Sequence, residues 1–128
     1  MMKSSRLYHM VLAGVLCAVG IVVPMFMPRI VLGPMSFTLA SHVAVFLGMF
    51  ISPAVAVAVC IGTTLGFFLT TPAIIALRAA SHIVFAAIGA FYLKKHPDTI
   101  EKPVASTIFN FVIALMHAAA EMIVVTPF

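Results

Sequence analysis

Six polar side chains interrupt otherwise apolar stretches of this chain: His42, Arg78, His82, Asn110, His117 and Glu121. Ionisable groups at membrane depth are costly, and they pair with one another or serve a function. Their spacing is regular. Arg78 and His82 are four residues apart, as are His117 and Glu121, so each pair shares one helical face. Asn110 lies seven residues before His117 and extends a stripe of Ser106, Asn110, His117 and Glu121 that must face protein or water. Two kinds of chemistry follow. Arg78 suits a bidentate clamp on a carboxylate ligand, or it forms a structural ion pair with Glu121. His82, His117 and Asn110 supply hydrogen bonds, either to such a ligand or between helices. Three histidines and a carboxylate, His42, His82, His117 and Glu121, also suit zinc. Arg78 counts against a metal here, because a fixed cation repels another. His9 and His96 fall near the ends of apolar runs and read as solvated.

Other chemistries are missing. The chain has no G-x-x-x-x-G-K-[ST] phosphate loop, no H-E-x-x-H and no G-x-S-x-G. The expectation is a protein that is not an enzyme and carries no cofactor or metal. Cys17 and Cys60 sit in apolar runs, form no C-x-x-C, and read as buried small hydrophobes.

The elements that must hold these residues follow from composition. Of 128 residues, 64% are hydrophobic and 8% charged, against roughly 25% charged in a soluble domain. A small soluble chain needs polar residues to cover its surface, and this one lacks them. Continuous apolar runs, rather than alternating ones of about 10 residues, exclude a membrane β-barrel. The expected fold is an all-α integral membrane bundle. About 20 apolar residues make one span, and five runs qualify, though the second is short: 7–27, 37–51, 54–69, 73–93 and 104–125. Pro28, Gly33 and Pro34, then Ser52-Pro53, Thr70-Thr71-Pro72 and the polar stretch Lys94 to Pro103 separate them. The domain expectation is one transmembrane unit over residues 1–128.

The net charge of +4 comes from basic residues around these runs, which act as topology signals rather than as a nucleic-acid surface. With the N-terminus cytoplasmic, Lys3, Arg6, Lys94, Lys95 and Lys102 fall inside and only Arg29 outside. The same orientation results if spans two and three form a re-entrant hairpin. An odd number of spans ends the chain outside, which predicts a further segment beyond it. At 1.5 Å per residue, Arg78 lies about 8 Å below the outer end of span four, and Glu121 about 6 Å below that of span five. His82 and His117 form a layer about 6 Å deeper, and counting along span two places His42 near the upper layer. The residues converge in the outer half, which predicts a pocket open to the outside. The loop Pro28 to Ser36 above it is a lid or a turn. Gly14-x-x-x-Ala18, Ala54-x-x-x-Ala58 and Gly62-x-x-x-Gly66 permit close helix approach, within the chain or onto another subunit.

Four phrases carry a family resemblance: Ala40-Ser41-His42-Val43; Phe46-Leu47-Gly48-Met49-Phe50-Ile51-Ser52-Pro53; Gly62-Thr63-Thr64-Leu65-Gly66-Phe67-Phe68; and Leu77-Arg78-Ala79-Ala80-Ser81-His82. Together they resemble the substrate-binding (S) components of energy-coupling-factor vitamin transporters, most of all the niacin-specific member. The resemblance implies a six-helix bundle in the bacterial cell membrane with a cytoplasmic N-terminus. It also implies a substrate site in the outer half and energy supplied by a partner transmembrane T subunit and two cytoplasmic ATPases. The family's small-x-x-x-small docking motif maps to Gly14 and Ala18, with Gly14 in place of the usual alanine. Nicotinate would then be held at its carboxylate by Arg78 and at its ring nitrogen by His82, His117 or Asn110. His42 is a further site candidate, and Glu121 would orient Arg78 or a histidine. Phe37 or Phe85 would stack on the ring. The alternatives are another water-soluble vitamin or an aromatic amino acid as substrate, a histidine-rich metal-binding membrane protein, or a purely structural assembly subunit. Only five spans are present where the family has six, so the resemblance predicts a missing sixth helix.

Overall fold

The computed structural model describes residues 6–33, 35–38 and 41–128; Lys3, Pro34 and Ala40, used above, lie outside them. The order is α1 (Arg6–Phe26), β1 (Arg29–Leu32), β2 (Met35–Thr38), α2 (Val43–Ile51), α3 (Pro53–Thr70), α4 (Ala73–Lys95), a 3-10 turn (Pro97–Thr99) and α5 (Pro103–Val125). Four of these helices, α1, α3, α4 and α5, are long and apolar enough to cross a membrane. The all-helical membrane bundle expected from composition is therefore what the chain forms.

Prolines and hydroxyls set the boundaries. Pro53 occupies the first turn of α3, where its missing N–H costs nothing. Ser52 caps that helix by accepting a hydrogen bond from the Val55 N–H at 3.2 Å. Pro72 precedes α4, and Pro103 opens α5. Lys94 and Lys95 lie in the last turn of α4, where positive charge opposes the helix dipole. Within α3 the hydroxyls of Thr63 and Thr64 donate back to the Val59 and Cys60 carbonyls at 2.8 and 2.7 Å, so neither leaves an unmet donor in a lipid-facing element.

The run 37–51 does not form one helical span. Phe37 and Thr38 belong to β2, which pairs antiparallel with β1 in the register Arg29↔Thr38, Ile30↔Phe37, Val31↔Ser36 and Leu32↔Met35. Gly33 follows β1 at φ +59, a left-handed conformation that favours glycine. The loop expected as a lid or a turn is thus a β-hairpin. Helix α2 keeps only nine residues, about 13 Å, under half of the roughly 30 Å hydrocarbon core. A continuous apolar run carries no period that separates strand from helix. The alternation Met35-Ser36-Phe37-Thr38 was the available strand signal.

The buried core is one cluster that includes Val45, Met49, Val55, Val59, Cys60, Phe85, Ala86, Ala90 and Ile113. Small residues bring α3 against α1: a Cβ at Gly62 would clash with the Cys17 sulfur, and one at Gly66 with the Ile21 side chain. Cys17 donates weakly to the Ala58 carbonyl at 3.5 Å. The Gly62-x-x-x-Gly66 spacing of α3 therefore serves internal packing. That of α1 does not: Gly14 and Ala18 are exposed, and nothing lies within 4 Å of a Cβ built at Gly14. Most of α5 is exposed as well; its fully buried residue is Ile113. The outward faces of α1 and α5 are apolar, with Leu7, Val11, Val15, Val104, Ile108 and Phe111 all exposed, as lipid contact requires.

Candidate functional site

Three elements deliver the polar side chains to one place. Helix α4 carries Arg78 and His82 one turn apart, α5 carries His117 and Glu121 likewise, and His42 stands immediately before α2. Five of the six candidate residues come together. Arg78 Nη2 donates to Glu121 Oε2 at 2.8 Å. The other carboxylate oxygen, Oε1, has His117 Nε2 at 3.2 Å and His82 Nε2 at 3.3 Å. His42 Nε2 lies 3.2 Å from His117 Nε2. The three imidazole centroids are 4.5 to 5.0 Å apart. His82 is buried, and Glu121 and His117 are half-buried.

The hairpin closes the top. Its alternation turns Ser36 and Thr38 toward the cluster, and Arg78 Nη1 donates to Ser36 Oγ at 3.3 Å. Ser41 Oγ sits 2.9 Å from His42 Nδ1. Below, Phe85 is fully buried with its ring 5.1 Å from that of His117 and 5.6 Å from that of His82. Ser36, Thr38, Ser41, His42, Phe67, Ile75, Arg78, Ala79, His82 and Glu121 line a cavity of about 40 Å³. Larger cavities lie elsewhere. One of about 320 Å³ is apolar and sits between α4 and α5, and one of about 400 Å³ lies near Ser52, Pro53 and Lys94. Neither touches the cluster.

Three placements differ from the sequence reading. Asn110 is exposed on α5 and joins nothing in the cluster; it is about 10 Å along the helix from His117. Its side of α5 has no packed neighbour among the described residues, because α5 packs on α4 and the 3-10 turn. His42 meets His82 and His117 rather than standing level with Arg78. The approach through residues 37 and 38 is strand, which advances about 3.3 Å per residue instead of 1.5 Å, so a helical depth count falls short. Phe37 is exposed, on the hairpin face away from the cavity. Of the two aromatics considered for stacking, only Phe85 borders the cluster. The hydroxyls of Ser36 and Ser41 were not picked out by spacing, since each gains its role only through the hairpin and the turn before α2.

One nitrogen of Arg78 has no partner: its Nε–H is buried and has no hydrogen-bond partner among the described residues. Buried polar groups in proteins are nearly always paired. A guanidinium with Nη1 and Nη2 held by Ser36 and Glu121 and a buried Nε–H left over is set up to receive an anion or a water. The arrangement as a whole keeps one cation and one carboxylate in contact, with three imidazoles around them.

No family model and no solved structure matches the chain. A curated protein from Lactococcus lactis subsp. cremoris, the niacin transporter NiaX, is 42% identical to it over 98% of the chain. The chain spans 58% of that relative's length. The resemblance to the niacin-specific member thus stands on a similarity that runs through almost every residue of the chain.

Proposed function

We propose that this relative of a niacin transporter is the substrate-capture subunit of an energy-coupling-factor vitamin transporter, binding nicotinate from the outer side of a bacterial cell membrane. It is not an enzyme. The observation that carries the reading is Arg78, a half-buried guanidinium beneath the hairpin whose buried Nε–H has no partner among the described residues. Nicotinate offers a carboxylate for Arg78 and a ring nitrogen for a histidine N–H, with Phe85 beneath the imidazoles as the apolar floor. Glu121 balances the guanidinium when no substrate is bound.

The cavity of about 40 Å³ has room for no more than a water or an ion. Admitting a pyridine carboxylate requires the β1–β2 hairpin to swing outward and Ser36 to release Arg78. Delivery inward falls to a partner T subunit and two cytoplasmic ATPases. The exposed Gly14 and Ala18 offer a close-approach face on α1 for the T subunit. With the N-terminus cytoplasmic, the basic end of α4 and the turn before α5 lie inside.

The test is calorimetry on the detergent-purified chain with nicotinate and, as control, nicotinamide, which lacks the carboxylate. Nicotinate binding that is much tighter than nicotinamide binding, and lost in Arg78→Ala, is expected. Equal affinity for the two ligands, or an Arg78→Ala variant that binds nicotinate unchanged, would overturn the clamp.

A further inference from the structure

We propose that His42, His82, His117 and Glu121 form a binding site for one divalent transition-metal ion, zinc being the best fit. This goes beyond the vitamin reading and does not rest on it. The four residues bring one ligand atom each together, with all four atoms within 4.8 Å of one another. A tetrahedral zinc with bonds of about 2.0 to 2.1 Å sets its ligand atoms about 3.3 to 3.4 Å apart. Three of the six separations already have nearly that length: His42 Nε2 to His117 Nε2 and His117 Nε2 to Glu121 Oε1, both 3.2 Å, and His82 Nε2 to Glu121 Oε1, 3.3 Å.

Hydrogen bonding alone does not account for this geometry. A neutral imidazole nitrogen either donates one proton or accepts with one lone pair. His117 Nε2 has two close neighbours, His42 Nε2 and Glu121 Oε1. If it donates to the carboxylate, it has no lone pair left for His42. If it accepts from His42, it faces Glu121 lone pair to lone pair. Either choice leaves one 3.2 Å contact with at best a share of a single proton. A cation between the four atoms satisfies every one of these lone pairs together.

The surroundings match those of ligand residues. A metal-bound histidine typically gives its other ring N–H to an oxygen, and a ligating carboxylate is itself hydrogen-bonded. His42 Nδ1 has Ser41 Oγ at 2.9 Å, an oxygen partner for the ring nitrogen that faces away from the cluster, while Nε2 is the nitrogen that meets His117. Glu121 uses Oε1 toward the histidines and Oε2 toward Arg78. From sequence, Arg78 stood as a competing cation. In the structure it grips the far oxygen of Glu121 and fixes how the near one points. The adjoining cavity of about 40 Å³ is of ion-and-water size.

The experiment uses the full chain in detergent, stripped with a chelator and titrated with Co²⁺ followed by Zn²⁺. Co²⁺ should bind at one equivalent with the intense visible absorption of tetrahedral cobalt, and Zn²⁺ should displace it. Ser41→Ala, which keeps all four ligands, should weaken affinity about tenfold or more, and His117→Ala should abolish the tetrahedral spectrum. Because the cobalt spectrum is read on the unaltered chain, the proposal stays testable even where a variant does not fold. Titration that never saturates near one equivalent, or a weak octahedral spectrum, overturns it. Nicotinate calorimetry on the stripped chain is a separate readout, so loss of the metal site leaves the vitamin reading standing or falling by itself.

Discussion

Removing the Glu121 carboxylate should unbalance the whole cluster, and the size of the effect follows from its contacts. Glu121→Gln keeps the side-chain volume and deletes the charge that faces Arg78 at 2.8 Å. Arg78 is then a guanidinium with 12% of its side chain exposed and no counter-charge. Breaking a buried ion pair from one side costs about 3–5 kcal/mol, while replacing both partners with apolar groups is often neutral. With Glu121 still 20% exposed, the lower end, about 3 kcal/mol, applies. For a domain of this length that lowers the unfolding temperature by roughly 10 °C. The companion variants are Arg78→Met, Glu121→Met and the double Arg78→Met, Glu121→Met. The assay is thermal unfolding in detergent, read as a double-mutant cycle. The double variant should be more stable than Glu121→Gln alone, with a coupling energy of about 2 kcal/mol. Strict additivity of the two changes would refute the idea that Arg78 and Glu121 act as one unit.

Two further predictions concern the scaffold. Gly62→Ala should destabilise by about 1–3 kcal/mol, because the added methyl meets the Cys17 sulfur; Gly14→Ala, with nothing within 4 Å, should leave thermal unfolding unchanged. A larger side chain there, Gly14→Leu, should then depress vitamin uptake in cells while nicotinate binding to the purified chain persists. Gly33→Val places a branched residue at φ +59, which should cost about 1–2 kcal/mol and weaken nicotinate binding, checked by calorimetry beside the unaltered chain.

The sequence made the helical part of the site readable because a membrane helix has one rise and one twist. Four-residue spacings put Arg78 with His82 and His117 with Glu121, and the depth count brought the two pairs level. Those inferences needed only continuous helices, and α4 and α5 are continuous over 23 residues each. The segment before α2 defeated the same arithmetic. There, strand and turn replace helix, so His42 lies level with the other histidines, and Ser36 and Ser41 become partners that no helical period could pick out. Asn110 shows a different limit. Periodicity tells which residues share a face, but not how far along that face a neighbour reaches. Helix α4 meets the His117 part of the α5 stripe and leaves Asn110 uncovered.

The packing beneath the histidines has an electrical consequence. Phe85, Met49, Ala86, Ala90 and Ile113 fill the space under the cluster, all buried and all apolar. Carrying an unpaired ion through such a plug meets a Born barrier of order 20 kcal/mol in the ideal case. The chain should therefore be an insulator: a bilayer loaded with it stays as resistive as the bare lipid, and no current follows an applied voltage. An ion held at the cluster has no conducting path through this apolar packing.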